Sequence, residues 1–137
     1  MTKRAFTIPE VLIAALIMSL VFVATLGLFA QAFELSKKTA LSYTAVNLAK
    51  NRLELARSMV DAGEVTDLPD LEETDTVVDA SGGSDPEGEY KRTTTVTSNY
   101  GGKARLIKVD VVVAYKYRRT WMNTAAITVT TVYANTN

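Results

Sequence analysis

Glu10 is the residue whose chemistry most needs explaining. It heads residues 11–33, which are 23 consecutive positions without a charge. An ionised carboxylate inside hydrocarbon costs on the order of 3 kcal/mol even on the lenient insertion scale, so an acid here belongs near the interface, in an ion pair, or both. Locally, Thr7, Ile8, Pro9 and Glu10 make a capping box. Thr7 is the N-cap, Pro9 is tolerated in the first turn, and Glu10 reaches back to a free backbone N–H while facing the positive end of the helix. The carboxylate also has electrostatic capacity to spare, and Lys3 and Arg4 are the cations nearest to it in sequence.

Elsewhere the 137 residues offer little for catalysis. There is no His and no Cys, which removes imidazole bases, thiolate nucleophiles, disulfides and the commonest zinc ligands. No motif assembles a nucleophile, base and orienting group from the carboxylates and hydroxyls that remain, so the chain is not expected to be an enzyme. The formal net charge of zero conceals a partition. Residues 61–89 carry eleven acids and no base, whereas residues 91–137 carry eight bases and a single acid, Asp110. Clustered carboxylates suit a hard cation, and calcium is the one metal the acidic segment could take. It has no EF-hand spacing, so a solvated loop and no cofactor are the expectation. The basic set, Lys91, Arg92, Lys103, Arg105, Lys108, Lys116, Arg118 and Arg119, is interleaved with Tyr90, Tyr100, Tyr115 and Tyr117. That is chemistry for phosphates and stacked bases, hence for DNA. The competing account is that the acidic segment covers this surface or meets it on a neighbouring subunit, and the same acids would repel a polynucleotide.

These groups are positioned by a simple succession of elements. As a helix, residues 11–33 reach about 35 Å at about 1.5 Å per residue, enough to cross a bilayer core. A cleavable secretory signal is the alternative, with Lys3 and Arg4 as its basic start and Ala30-Gln31-Ala32 as its cleavage pattern. The apolar run is longer than the usual h-region of about 7 to 15 residues. Positive charges flank both ends, with Lys37, Lys38, Lys50 and Arg52 beyond the far one. Long carboxy-terminal domains translocate largely regardless of charge, which places that domain outside the cytoplasm. The helix is expected to continue to residue 60, since Ala45, Leu48, Ala49, Leu53, Ala56 and Val60 form one apolar stripe. Gly63 suits a left-handed cap. Residues 61–89 read as a long loop with a brief strand at 76–78. YKRTTTVTS, ARLIKVDVVVAYKY and TAAITVTTVYA read as three strands, separated by turns at NYGGK and RRTWMN. Core candidates are Ile127, Val129 and residues 106–113, and Trp121 is expected in a turn, packed over Arg118 or Arg119. The fold class is therefore α+β, a long amino-terminal helix whose upper half packs on an antiparallel meander of about three strands.

The segment KRAFTIPEVLIAAL is similar to the class III signal of type IV pilins and type II secretion pseudopilins: a short basic leader, a small residue, Phe, Thr, two residues, Glu, then an apolar helix. AVNLAKNRLELAR and the closing strands also resemble small minor pilins and the corresponding pseudopilin, so the likeness covers most of the chain, although only the amino-terminal signal is specific. The resemblance implies cutting between Ala5 and Phe6 by a prepilin peptidase, N-methylation of Phe6, and filament assembly in which Glu10 pairs with the charged amine of a neighbouring subunit. The residue before the cut is usually Gly in that family and is Ala5 here. The family often has a helix-breaking Pro where Gly27 stands, and Gly is itself a weak helix former, so a local loosening is expected there.

The expected divisions are a leader at 1–5, a membrane and assembly half at 6–33, an amphipathic upper half at 34–60, an acidic loop at 61–89 and a sheet at 90–137. The expected function is a structural subunit, a minor pilin or pseudopilin. It would be held in a bacterial inner membrane with its carboxy-terminal domain outside the cytoplasm and would end in a periplasmic or cell-surface filament. Its partners would be other such subunits, the peptidase, membrane lipid and the assembly machinery. The alternative from another class is a secreted or singly anchored binding module unrelated to filaments.

Overall fold

Helix α1 runs from Ile8 to Asp61. The computed structural model describes residues 7–123 and 126–134, apart from the side chains of Thr66 and Asp67. Two compact units meet between Lys38 and Thr39. In the first unit α1 is exposed throughout residues 8–33 and runs unbroken through Gly27, so the expected loosening is not found. One Gly in a helix costs about 1 kcal/mol relative to Ala, too little to interrupt a helix flanked by strong helix formers such as Leu26, Leu28 and Ala30.

In the second unit the expected stripe is buried at Ala45, Leu48, Ala49, Leu53 and Ala56, Val60 is partly buried, and Leu41 extends the stripe toward the amino terminus. Alanines at 45, 49 and 56 have no exposed surface. The helix ends in a Schellman motif. Glu64 N–H donates to Met59 C=O at 2.9 Å, Gly63 N–H donates to Val60 C=O at 3.0 Å, and Gly63 takes φ +80. Such an end needs a residue in the left-handed region, and Gly adopts it without steric cost.

The sheet has five antiparallel strands: β1 (Glu73–Val78), β2 (Tyr90–Ser98), β3 (Leu106–Tyr117), β4 (Thr120–Trp121) and β5 (Ile127–Ala134). β1 pairs β2, β2 pairs β3, and β3 pairs both β4 and β5. The three strands expected from alternation correspond to β2, β3 and β5. β4, a two-residue hairpin arm inside the expected turn, is an addition, and the brief strand expected at 76–78 is longer than expected, reaching back to Glu73 as β1. The acidic segment is thus more structured than a loop: a 3-10 turn at Val65–Leu71 precedes six residues of β1. Acidic sequence does not forbid a strand when one face meets cations, and Lys91 Nζ stands 3.2 Å from Asp75 Oδ2.

On the face toward the helix, Ile107, Val109, Val111, Val113 and Tyr115 of β3 are buried. They pair with Ser98, Val96, Thr94, Arg92 and Tyr90 of β2, and β5 adds Ile127, Val129 and Tyr133 at partial burial. Tyr133 donates its hydroxyl to Leu53 C=O at 2.7 Å, tying the edge strand to the helix. Each large aliphatic side chain in this layer contributes about 1.5–3 kcal/mol by its removal from water.

The hairpin joining β3 to β4 carries strain. Tyr117 pairs with Thr120, so Arg118 and Arg119 are its two loop residues, at φ +50 and +66. Two positive φ values in a two-residue loop belong to a type I′ turn, which strongly favours Asn-Gly. Each Arg held there costs about 1 kcal/mol. Replacing the pair (Arg118→Asn with Arg119→Gly) is expected to raise the thermal midpoint by roughly 5 °C, read by circular dichroism on the full chain in detergent. An unchanged or lower midpoint would show that the arginine side chains repay the strain through their own contacts.

Candidate functional site

Glu10 lies in the first turn of α1 and is exposed. Thr7 C=O accepts the N–H groups of Glu10 at 3.0 Å and Val11 at 3.2 Å, so the carbonyl of Thr7 takes the first intrahelical bonds, as that of an N-cap residue does. Ala5 and Phe6 lie outside the described residues.

Beyond Glu10 the helix surface is apolar on all sides. Leu12, Leu16, Met18, Phe22, Val23 and Phe29 are each more than half exposed. The best 18-residue window has a mean hydropathy of 2.7, long and apolar enough to cross a membrane. The two hydroxyls of this stretch are already satisfied without water: Ser19 donates to Leu16 C=O and Thr25 to Val21 C=O, both at 2.8 Å. A helix whose hydroxyls are bonded to its own backbone can enter lipid or a bundle of like helices. One carboxylate on such a surface is the feature most in need of a partner.

A second polar centre lies inside the head. Glu73 accepts Arg92 Nε at Oε1 and Arg92 Nη2 at Oε2, the latter at 3.2 Å, and Thr94 donates its hydroxyl to Oε1 at 2.9 Å. Arg52 Nε approaches Oε1 at 3.4 Å, while Arg52 Nη2 donates to Leu71 C=O at 3.0 Å. A bulge in β1 makes this possible. Glu73 pairs with Thr94 but Thr76 pairs with Arg92, so the register slips by one residue across Asp75, which sits at φ +53. The slip brings Glu73 onto the same inward face as Val78. Burial alone would push the Glu73 carboxyl up; hydrogen bonds from Arg92 and Thr94 and the two guanidinium charges outweigh it, holding the group below its ordinary value. Burial draws the Arg52 guanidinium below its usual range, with Glu73 opposing and Arg92 reinforcing the change.

The basic residues do not form one continuous surface. Arg92 is turned inward and buried. Lys91 and Lys116 stand 5.4 and 5.6 Å from the ring centre of Trp121, which lies on β4. Those lysines are the cations this ring meets, and Arg118 stacks on Tyr117 at 5.6 Å. Lys108 pairs with Asp110 at 2.7 Å, and Asp110 also accepts the Thr130 hydroxyl at 2.6 Å. Hydrogen bonds from Lys108 and Thr130 hold the Asp110 carboxyl below its ordinary value. Several of the charges that would face a phosphate backbone are therefore already neutralised. Among the described residues, no group of three or more carboxylates converges as metal ligands.

Sequence patterning names Arg52 and Arg92 only among the basic residues and does not connect either with Glu73. One signal was present: Arg92 has the same strand parity as Tyr90 and Thr94, and a cation on an inward face requires a buried acid. The identity of that acid depended on the bulge. The arrangement of one long amino-terminal helix with its later part packed on an antiparallel sheet is pilin-like. No family model matches the chain, no curated protein does, and no solved structure does.

Proposed function

We propose that this chain is a membrane-anchored structural subunit of a pilus-like or secretion filament, a minor pilin or pseudopilin. Assembly would occur through residues 6–33 with Glu10 as the charge that selects register. The observation that carries this is the pairing of an apolar helix surface, exposed on every side over residues 11–33, with a single acid in its first turn. Lipid satisfies the apolar surface of an isolated subunit, and neighbouring helices satisfy it in a filament. A filament also offers the acid a cation at the same depth, the amine created at Phe6 by removal of the leader. In this reading the head is outside the cytoplasm, and its sheet and charges meet other subunits there.

The decisive experiment is coexpression of the full chain with a prepilin peptidase, followed by intact mass measurement of the membrane fraction. Loss of residues 1–5 with the addition of one methyl group is the expected result. Cutting after Ala32, or retention of the leader, would instead favour a secreted or singly anchored binding module.

A further inference from the structure

Two guanidiniums share one carboxylate at the junction of α1, β1 and β2. Arg92 engages Glu73 through Nε and Nη2, and Arg52 reaches it only at 3.4 Å. The trio therefore carries one positive charge in excess, although the Arg92 and Arg52 side chains are only 10% and 17% exposed. Arg52 Nε is buried and has no acceptor in hydrogen-bonding geometry. Leaving a mostly desolvated cation short of acceptors is unfavourable.

Beside the trio lies a cavity of about 180 Å³, lined by Leu48, Asn51, Arg52, Ser81, Gly82 and Arg92 among others. Arg52 and Arg92 are both among its lining residues. At Gly82, φ +91, a Cβ would stand 3.4 Å from Arg92 Nη1 and 3.3 Å from Leu48 Cδ2, so glycine keeps open the space next to that nitrogen. The acid of the same turn does not supply the missing charge. Asp79 Oδ1 accepts the N–H and hydroxyl of Ser81 at 2.8 and 2.7 Å and Gly83 N–H at 3.0 Å, which commits it to its own turn.

We infer that this cavity binds a small oxyanion, of which inorganic phosphate is the simplest, through Arg52 and Arg92. A guanidinium fork matches the oxygens of a phosphate or carboxylate, and charge-assisted bonds of this kind are about twice as strong as neutral ones. A singly charged anion brings the local charge to zero, and the bound anion ties the helix to β2 and the 79–83 turn. The site lies entirely within residues 48–92 and stands whether or not the chain enters a filament.

The test is a titration of the full chain in detergent micelles, labelled with nitrogen-15, using phosphate against sodium chloride at matched ionic strength. Phosphate is expected to shift the Arg52 Nε–H resonance saturably and to raise the thermal midpoint along the same curve. Asn51→Asp places a carboxylate at the rim without touching either arginine. It is expected to raise the midpoint in the absence of phosphate and to weaken phosphate at least about tenfold. Arg105→Gln removes an exposed cation just before β3 and should leave the response intact. The inference is overturned if chloride reproduces the phosphate response, if Asn51→Asp weakens binding less than about twofold, or if Arg105→Gln weakens it as much as Asn51→Asp.

Discussion

Glu73→Gln is expected to lower the stability of the head by about 3–5 kcal/mol, the range seen when one member of a buried ion pair is removed. The substitution keeps the volume and leaves one oxygen as an acceptor, but two mostly buried guanidiniums lose their shared counter-charge. Against a total of about 5–15 kcal/mol for a typical domain, that is a large share. The thermal midpoint of the full chain in detergent should fall by on the order of 15 °C. Converting all three to apolar residues (Glu73→Leu with Arg92→Met and Arg52→Met) should recover much of the loss, because the desolvation cost disappears with the charges. A fall of less than about 1 kcal/mol in Glu73→Gln, measured by denaturant titration, would mean that water enters the cluster and solvates it.

The same carboxyl fixes the sign of a pH effect. Its folded value lies below its ordinary 4.5, so the folded state binds that proton less readily than the unfolded chain does. The stabilisation is fully present above the unfolded value and is lost as pH falls through the lower, folded one. The parent protein should therefore lose stability below about pH 4.5, and Glu73→Gln should show a shallower acid limb over the same interval. Asp110 titrates in the same direction, so the variant flattens the limb without abolishing it.

Glu10→Gln is expected to reduce incorporation into filaments about tenfold while leaving membrane insertion and folding at parental levels. Gln retains the reach of the capping side chain and removes only the charge. Opposite charges about 4 Å apart in a medium of intermediate dielectric attract by several kcal/mol, and desolvation cancels part of this. A net of about 1.4 kcal/mol suffices for the tenfold change. The measurement is the fraction of the chain recovered in sheared or pelleted filaments relative to total membrane protein. Equal recovery of parent and variant would leave Glu10 as a helix cap and remove its role in register.

The helix stripe was legible because burial on one side of a helix leaves a period that solvent cannot blur. Leu48, Ala49, Leu53 and Ala56 are buried where the spacing placed them. β3 was legible for a related reason: it lies between β2 and β5, so apolar residues accumulate along it. β1 was harder to see. Glu73, Thr74 and Asp75 carry no hydrophobic alternation, and the bulge at Asp75 breaks the parity on which strand patterning depends. Trp121 stood in a turn by local sequence, yet pairing with Lys116 makes it part of a strand.

The sequence by itself determined the long helix, its apolar first half, the acid at its head, the α+β class and the separation of charge, because each is a property of neighbouring residues along one element. Only the tertiary structure decided which acid meets which base. Glu73, one of eleven acids in its segment, became the buried partner of Arg92 and Arg52, sequence neighbours of neither. Such pairings depend on register across strands and on the approach of a helix to a sheet, where a slip of one residue moves a side chain to the opposite face.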